Sequence, residues 1–390
     1  MSSVSDAVLV GMGALAAAVW LAALAATVRA VVVLPRMHAL PIPAREWPRL
    51  SVVRPACNEA ERLAAATRTT LAMDYPDLQV VLVDDRSTDD TPAIVEALAA
   101  DLGVVAVHVD ALPAGWLGKL NALQRGVERA DGDWLLFADA DAHFAPGTAQ
   151  RAIAYADAQA LDFVSVLPGV ERADFLADAT FSSANALLAL GTRPWKIERD
   201  EHTIAATGAF MLVRRTAFER TPGFEWLRLE VADDFGLCLL IKRHGGRAGF
   251  LVAPNCVRLT WYASFAELTE AMQKNFFAIA GRFSPARCVV QVVALIALAL
   301  GPFLPLFALS SPWALPVALA ALGASAANGL LTAWWTDRPL LSAALPSIGL
   351  LATAFVVARA AIVGVRQGGI IWRGVLYRTE DLRDVQHVRL

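Results

Sequence analysis

The sequence predicts an α/β domain with a mixed, largely parallel sheet, flanked by transmembrane helices on both sides. Short β-rich runs alternate with helical patterns between residues 36 and 287, an order typical of strands joined by crossover helices. Uncharged apolar runs lie before and after that stretch. Of the 390 residues, 56% are hydrophobic and 18% are charged, whereas soluble domains have about 45–50% and roughly 25%. The excess apolar residues therefore indicate membrane segments.

The apolar runs are long enough to cross a membrane, since a helix spans a bilayer with about 20 apolar residues. Residues 7–34 form one predicted N-terminal span, and residues 288–365 form about three, with a break near Ser310. Only Asp6 precedes the first run, whereas several arginines follow it: Arg29, Arg36, Arg45 and Arg49. The positive-inside rule then places the α/β domain, residues 36–264, in the cytoplasm. We expect an integral protein of a bacterial inner membrane.

The C-terminal tail, residues 366–390, conflicts with a simple count of spans. Four crossings would place it opposite the α/β domain, yet it carries five arginines, which favour the cytoplasmic side: Arg366, Arg373, Arg378, Arg383 and Arg389. Either one apolar run lies along the membrane, or the tail charges do not decide its side. Arg359 interrupts the last run, so we question that crossing first. Residues 265–287 have helical spacing and predict an interfacial amphipathic helix.

The order of elements between residues 36 and 264 justifies the α/β prediction. Strands are expected at residues 50–54, 79–83, 104–109, 134–138 and 206–213. Helices are expected at residues 60–72, 92–100, 117–129 and from Asp233 to about His244. Ligands of such sheets bind beyond the carboxyl ends of the strands. The polar residues just after each strand therefore matter most.

Three acidic clusters occupy such positions or begin a helix. Asp84 and Asp85 follow the second strand, where they can meet a ribose or a base. Asp139 and Asp141 follow the fourth strand on one side of an extended segment, where two carboxylates can share a hard divalent cation. Asp233-Asp234 begins a helix and offers a general base. Each cluster also has a structural explanation, as a solvated turn or a helix cap, so none decides alone.

Composition and charge argue against several classes of function. A net charge of −3 argues against nucleic-acid binding, which needs a basic domain. The cysteines lack metal-type spacing and are interpreted as reduced and structural: Cys57, Cys238, Cys256 and Cys288. His143 and His244 are not expected to be metal ligands. The apolar runs carry almost no ionisable residues to mark a transport pathway, which argues against a transporter.

Six segments, in order, resemble the family-two glycosyltransferases with the GT-A fold, a Rossmann-like mixed sheet. They are PACNEAERL (55–63), VLVDDRSTDDT (81–91), GWLGKLNALQRG (115–126), WLLFADADAHF (134–144), ATGAFMLVRRTAFERTPGF (206–224) and ADDFGLCLLIKRHGGR (232–247). The GWLGK segment, the placement of the apolar runs and WRGVLY (372–377) also resemble a membrane-bound subgroup. That subgroup includes hopanoid-associated and carotenoid glycosyltransferases and, more distantly, ceramide glucosyltransferases.

The resemblance implies a hexosyltransferase that moves a sugar, with inversion, from a nucleotide-sugar such as a UDP-sugar to a lipid or lipid-linked acceptor at the cytoplasmic membrane face. By this resemblance, the residues beside the nucleotide-sugar are Pro55, Asn58, Glu59, Asp84, Asp85 and Asp139. Lys119, in the turn after the third strand, can either contact a phosphate of the nucleotide-sugar or cap a helix. Asp139 and Asp141 would form the DxD site for Mg²⁺ or Mn²⁺. Asp234 takes the position of the catalytic base, with Asp233 in place of the more usual Glu. Trp116 would contact the sugar or the acceptor.

The chain departs from the family pattern at one place. Processive synthases and ceramide glucosyltransferases carry a Gln/Arg-x-x-Arg-Trp motif before the C-terminal spans, where this chain reads MQKNFF (272–277). Gln273 can hold the first position and contact the acceptor, but no Arg-Trp follows; Lys274 or Arg282 would then serve the diphosphate. Three alternatives stay open: a processive polysaccharide synthase, a nucleotidyltransferase with a similar core, and a catalytically inactive membrane scaffold.

Overall fold

The computed structural model describes residues 2–389, with side chains from Val4 onward. An eight-stranded mixed sheet has the order β3-β2-β1-β4-β7-β6-β8-β5. Its strands are β1 (Leu50–Ala56), β2 (Leu78–Asp85), β3 (Val105–Val109), β4 (Trp134–Phe137), β5 (His143–Phe144), β6 (Phe163–Val170), β7 (Met211–Arg214) and β8 (Ala248–Leu259). The predicted α/β class with a mixed sheet is confirmed.

Parallel pairing aligns the carboxyl ends of the first four strands. β1 lies between β2 and β4 and is parallel to both, and β2 is parallel to β3. β7 is antiparallel to its neighbours β4 and β6. Strands β1 and β4 are buried along their whole length, which explains why they read as continuous apolar runs. The loops after β1, β2 and β4 therefore meet at one edge of the sheet.

Helices cover both faces of the sheet. In chain order they are α2 (Leu63–Leu71), α3 (Thr91–Leu102), α4 (Gly118–Val127), α5 (Thr148–Ala158), α6 (Phe175–Thr192), α7 (Arg215–Glu219), α8 (Phe224–Leu227) and α9 (Asp233–Arg243), after the N-terminal helix α1 (Ser2–Val33). The helix predicted to end near His244 does so, since α9 ends at Arg243 and Gly245 adopts a positive φ of 83°.

One predicted strand is shorter than expected. Residues 206–213 were expected to be extended, but β7 begins only at Met211. Residues 206–210 instead form a loop in which the carbonyl of Gly208 accepts a hydrogen bond from the amide of Asp139 at 3.0 Å. Residues 206–210 have the apolar composition of a strand because they are buried. The segment nevertheless passes the end of β4 as a loop and does not pair with that strand.

Within residues 2–389, four helices are long and apolar enough to cross a membrane: α1, α11 (Pro285–Leu300, continued by a 3₁₀ turn to Phe307), α12 (Ala314–Thr336) and α14 (Pro346–Gln367). This agrees with one N-terminal and three C-terminal apolar helices. The short helix α13 (Leu340–Ala343) precedes α14, and α10 (Phe265–Asn275), followed by a π-helical turn to Ala280, precedes α11.

Helices α1, α11 and α12 connect two opposite ends of the bundle. At the far end, the backbone amide of Ser310 donates to the carboxylate of Asp6 at 3.1 Å. At the sheet end, the amide of Val252 donates to the carbonyl of Pro35, just after α1, at 2.9 Å. Arg338, just after α12, donates to the carbonyl of Val170 at 2.8 Å. Each of these three helices therefore runs between the α/β unit and the far end.

Helix α14 contacts both the bundle and the α/β unit, since Leu350 shares a buried cluster with Trp20 of α1 and Ala299 of α11. The hydroxyl of Ser183 in α6 donates to the carbonyl of Pro346 at 3.0 Å. Further along, Arg359 donates to the side-chain oxygen of Gln273 in α10 at 3.2 Å. Of its most apolar window, 56% is buried in protein, against 28%, 22% and 33% for α1, α11 and α12. Protein surrounds α14 more completely than the other three helices.

The C-terminal tail folds back onto the α/β unit. It contains the hairpin β9 (Gly369–Trp372) and β10 (Val375–Arg378), then α15 (Thr379–Arg383). The backbone amides of His387 and Val388 donate to one carboxylate oxygen of Glu230, at 2.6 and 3.1 Å. The ring of His387 stacks on Trp226 with centroids 3.6 Å apart. The tail and the loop before α9 thus form one packed unit.

Candidate active site

The loops after β1 and β2 are joined by hydrogen bonds. Asn58 adopts a left-handed backbone with a φ of 57°, which asparagine tolerates better than most residues. Its amide donates to the hydroxyl of Ser87 at 3.0 Å, and its side-chain oxygen accepts from the amide of Thr88 at 2.8 Å. The amide of Glu59 donates to the hydroxyl of Thr91 at 2.9 Å. The two loops are therefore held as one wall of a cleft.

The two carboxylates at the end of β2 have different surroundings. Asp85 forms a bidentate pair with Arg86, at 2.8 and 3.0 Å, and faces Gly118, where a Cβ would collide with it. Asp84 accepts from the amide of Ser87 at 3.2 Å and contacts Nδ1 of His108 at 3.1 Å. Asp85 therefore faces the cleft, whereas Asp84 shapes the turn.

Arg54 fixes the turn after β4. It is fully buried inside β1, and its guanidinium donates to the carbonyls of Asp139 and Ala142 at 2.7 and 3.0 Å and to the hydroxyl of Thr70 at 2.7 Å. Burial lowers its pKa to about 10, although Asp141 and Asp139 oppose the shift. Pro55, next in the strand, is likewise buried. Sequence reasoning missed Arg54, although a charge within the apolar run LSVVR was a usable signal.

Lys119 joins two of the acidic clusters. Its ammonium lies 2.8 Å from Oδ1 of Asp139 and 2.8 Å from Oδ2 of Asp233. Burial by itself would lower the pKa of Lys119, but the two carboxylates outweigh burial and raise that pKa above its ordinary value. The start of α4, the end of β4 and the start of α9 therefore meet at one charged group.

Gly208 is the second residue that sequence reasoning missed. A Cβ at this position would lie 2.7 Å from Oδ2 of Asp139 and 3.0 Å from Nζ of Lys119. A Cβ carbon does not approach a non-bonded oxygen or nitrogen atom so closely, so a side chain here would displace the ion pair of Lys119 and Asp139. Glycine therefore allows the loop before β7 to pass directly over the Lys119–Asp139 contact.

Asp141 lies beside this cluster, with an excess of negative charge around it. Burial raises its pKa to about 6, and repulsion from Asp139 and Glu59 adds to the shift. The nearest cation recorded for it, Arg62, is 3.8 Å away. Carboxylate oxygens in an anionic pocket suit a hard divalent ion, so Asp139 and Asp141 fit Mg²⁺ or Mn²⁺. Within residues 2–389, no three or more His, Cys, Asp or Glu residues form a metal cluster, so phosphate oxygens or water would complete the coordination.

Asp234 has the surroundings of a base that titrates above the usual aspartate range. Burial raises its pKa, and repulsion from Asp233 raises it further, while Lys119 opposes the shift. Its Oδ1 accepts a hydrogen bond from the amide of Phe235 at 2.8 Å. One carboxylate beside a lysine and another beside a backbone amide can thus divide two roles, charge pairing for Asp233 and proton transfer for Asp234.

The hairpin of β9 and β10 and helix α10 border the cleft. Arg373, at the hairpin turn, pairs with Glu59 at 2.6 Å, and the hydroxyl of Tyr377 donates to the carbonyl of Trp116 at 3.2 Å. Lys274 lies over the ring of Trp372, 3.5 Å from its centroid. Burial lowers the pKa of Lys274 to about 7, and repulsion from Lys119 adds to the shift. Lys274 is therefore close enough to Lys119 for the charges of the two side chains to interact.

The expected site residues fall into three groups. Lys119, Asp139, Asp141, Asp233 and Asp234 form one cluster at the carboxyl edge of the sheet. Around its rim lie Pro55, Asn58, Glu59, Asp85 and Trp116. The remaining two side chains are engaged elsewhere: Asp84 contacts His108, and Gln273 contacts Arg359.

The central part of the chain is similar to known glycosyltransferases. Residues 51–221 match the family model described as glycosyl transferase family 2. A PGL/p-HBAD biosynthesis glycosyltransferase of Mycobacterium tuberculosis is 37% identical over 95 residues, which are 24% of this chain and 36% of that protein. A GalNAc(5)-diNAcBac-PP-undecaprenol beta-1,3-glucosyltransferase of Campylobacter jejuni is 30% identical over 95 residues, 24% of this chain and 30% of that protein. The matches thus span about a third of the length of these relatives.

A solved structure shares the fold over nearly the whole chain. It is a mannosyltransferase of Pyrobaculum calidifontis in complex with GDP-Man and Mn²⁺. The TM-score is 0.52 at 22% sequence identity, covering 92% of this chain and 98% of that one. At this level of identity the likeness supports a common GT-A fold. The finer resemblance to hopanoid-associated, carotenoid or ceramide enzymes has no counterpart among these matches.

Proposed function

We propose that this protein transfers a sugar from a nucleotide-sugar to a lipid or lipid-linked acceptor at a membrane surface. The proposal starts from the match of residues 51–221 to glycosyl transferase family 2 and from the GT-A fold. The observation that carries the proposal is the position of Lys119, whose ammonium bridges Asp139 and Asp233 at 2.8 Å each. This contact supports a transfer site in which Asp139 serves the diphosphate side and Asp233 the side of the base.

The donor would bind along the cleft made by the joined loops after β1 and β2. Asp85 lies at the nucleotide end of that cleft, and Asn58 and Glu59 form its wall. Lys119 and Lys274 would face the diphosphate, whose negative charge would oppose the lowering of the Lys274 pKa by burial. A bound Mg²⁺ or Mn²⁺ on Asp139 and Asp141 would neutralise charge that develops on the leaving group.

Transfer would proceed by a single displacement. The acceptor hydroxyl oxygen forms a bond to the anomeric carbon while the bond from that carbon to the diphosphate oxygen breaks. Asp234 takes the hydroxyl proton, and the electron pair leaves with the nucleoside diphosphate. Lys119 pairs with Asp233 at 2.8 Å, so that Asp234 is the carboxylate left to accept the proton. Attack from the face opposite the leaving group inverts the anomeric carbon.

The architecture supports an acceptor that arrives through the membrane. Three helices, α1, α11 and α12, run between the α/β unit and the far end of the bundle, and one helix would suffice as an anchor. The relative from Campylobacter jejuni is named for an acceptor linked through PP to undecaprenol. We therefore place the acceptor among lipids or lipid-linked sugars.

The contacts of the tail also support a solution to the conflict over its side. Helix α14 contacts α6 at Pro346 and α10 at Arg359, and protein surrounds it more completely than the other three helices, so it would lie against the α/β unit without crossing. With three crossings, the N-terminus of α1 is on one face and the α/β unit and tail are on the other. The basic tail would then share the cytoplasmic face, as the positive-inside rule requires.

A transfer assay with the detergent-purified full chain tests this proposal. A panel of nucleotide-sugars is offered with Mg²⁺ or Mn²⁺ and a total bacterial lipid extract, and products are followed by mass spectrometry. The proposal expects a glycolipid product that depends on the metal and is lost in Asp141→Asn, while the exposed control Asp101→Asn keeps full activity. Absence of both donor binding and turnover with every donor would instead support an inactive scaffold. A long polymer product would support a processive synthase.

A further inference from the structure

A cavity of about 490 Å³ lies where the tail, the loop before α9 and the start of α11 meet. Four arginines line it: Arg282 and Arg287 from the chain around the start of α11, and Arg383 and Arg389 from the tail. Its lining residues differ from those of the Lys119 cluster, and they include Arg282, which the sequence offered as a partner of the diphosphate. The lining combines features that point to a particular kind of ligand.

The cavity is strongly basic. Its one acidic lining residue is Glu230, and the oxygens of that carboxylate accept backbone hydrogen bonds from Ala232, His387 and Val388 at 3.2, 2.6 and 3.1 Å. Glu230 is 1% exposed, so it is occupied in holding the tail. Four guanidinium groups around one cavity favour an anion with several oxygens, above all a phosphate, because the guanidinium fork pairs with phosphate oxygens.

One wall of the cavity leads to the membrane. Phe283 and Pro285 line it, and Pro285 is the first residue of the apolar helix α11. Just beyond, Val289, Val290 and Val293 are each at least 60% exposed on the outer face of α11. An acyl or prenyl chain leaving the cavity along α11 would therefore remain in contact with apolar side chains and lipid.

The other wall leads to the catalytic cluster. Ala232 lines the cavity and directly precedes Asp233 and Asp234 at the start of α9. A headgroup held by the arginines would thus lie against the backbone segment that carries the general base. Because the cavity borders the apolar route and Ala232, two residues before the base, lines it, its ligand is well placed to present a hydroxyl to the donor.

We propose that this arginine cavity binds the phosphate-bearing headgroup of the acceptor lipid, which makes the acceptor an anionic lipid. The inference rests on the proposed sugar transfer to a lipid and narrows its acceptor class. The arginines hold the headgroup phosphate, α11 guides the apolar chain, and the segment from Ala232 to Asp234 meets the end of the headgroup that is glycosylated.

Native mass spectrometry of the full chain in detergent tests binding without any turnover. The probes are dioleoyl phosphatidic acid, dioleoyl phosphatidylcholine and inorganic phosphate. We expect phosphatidic acid to bind at least about tenfold more tightly than phosphatidylcholine, and the double variant Arg287→Gln/Arg383→Gln to lose that preference. Arg125→Gln, which affects an exposed pair with Glu128, is the matched control and should bind as the unchanged protein does.

Three results of this binding measurement would overturn the proposal. They are equal affinities for the two lipids, an unchanged preference in the double variant, and binding of inorganic phosphate as tight as that of phosphatidic acid. The last result would indicate a site for a free anion rather than for a lipid.

Kinetics then separate this inference from the function on which it rests. The lipid extract is divided by anion exchange into anionic and neutral fractions, and each is offered as acceptor. We expect acceptor activity in the anionic fraction, with KM raised about tenfold or more in the double variant and kcat close to normal. Activity confined to the neutral fraction, or an unchanged KM, would contradict the cavity assignment. Loss of transfer with every fraction would refute the proposed function, while the binding measurement would still decide the cavity.

Discussion

The ammonium of Lys119 lies 2.8 Å from Oδ1 of Asp139, across the gap between the start of α4 and the end of β4. The same ammonium pairs with Asp233 at the start of α9. Lys119 thus pairs with two carboxylates that come from distant parts of the sequence. A diphosphate entering the cleft would share this cation, which would couple donor binding to the arrangement of the base.

Replacement of Lys119 by methionine should impair transfer much more than it impairs folding. Methionine retains the length of the side chain but removes the charge that faces Asp139 and Asp233. We expect kcat/KM to fall by about 10²–10³, the range found when a charge-stabilising donor is removed. Steady-state kinetics measure the fall, with Lys196→Met at an exposed lysine as the control. A kcat/KM equal to that of the control would show that Lys119 has only a structural role.

Gly208→Ala should disturb the site by a steric collision alone. The added Cβ would lie 2.7 Å from Oδ2 of Asp139 and so push the carboxylate away from Lys119. We expect kcat/KM to fall by about tenfold or more, because misplacement of a reacting group by about 1 Å can cost 10²-fold. Gly191→Ala is the matched control, since its Cβ meets nothing within 4 Å. If both variants turned over normally, the close approach at Gly208 would not matter to the chemistry.

Arg54→Met should lower the stability of the fold and the activity together. It removes the guanidinium donor to the carbonyls of Asp139 and Ala142, of which Asp139 keeps a hydrogen bond from the amide of Ala142 at 3.2 Å. A buried group left unsatisfied costs about 1–3 kcal/mol, so loss of the donor to the carbonyl of Ala142 predicts a fall in Tm. Thermal unfolding in detergent measures it, with the exposed Arg125→Met as a control that should change stability by less than about 1 kcal/mol. An unchanged Tm would mean that the turn after β4 does not depend on Arg54.

Reporter fusions in a bacterial host should place the tail on the cytoplasmic face. Green fluorescent protein fused after residue 390 should fluoresce, because His387 and Val388 are bonded to Glu230 of the α/β unit. Alkaline phosphatase at the same position should be inactive. Fusions truncated at Ser311, in the far loop between α11 and α12, should give the reverse pattern. An active phosphatase after residue 390 would instead support four crossings.

The sequence predicted the local elements better than their assembly. The strands at Leu50–Ala56 and Leu78–Asp85 and the start of α9 at Asp233 followed from apolar runs and caps, which depend on neighbouring residues. By contrast, β6 and β8 were not predicted. Their pairing has a register irregularity between Pro168 and Gly169, and proline and glycine are residues that usually indicate a turn or a break in a strand.

The site residues, too, were predicted where their role depends on neighbouring residues and missed where it depends on distant ones. The acidic residues were recognisable because each cluster lies at the end of a strand or the start of a helix. Arg54 and Gly208 were missed because their importance depends on which backbone passes beside them. The contacts of the tail with Glu59 and Glu230 were equally hidden, since more than a hundred residues separate the partners.

The central claim is that Asp234 takes the acceptor proton at a family 2 transfer site. The most direct test compares kcat of the unchanged protein and Asp234→Asn from acidic to alkaline pH, together with the Kd for the donor. Because burial and Asp233 raise the pKa of Asp234, kcat of the unchanged protein should rise with pH through a value above the ordinary aspartate pKa of about 3.9. Asp234→Asn should bind the donor normally but turn over at least about 10²-fold more slowly, without this rise. Normal turnover by Asp234→Asn would contradict the account.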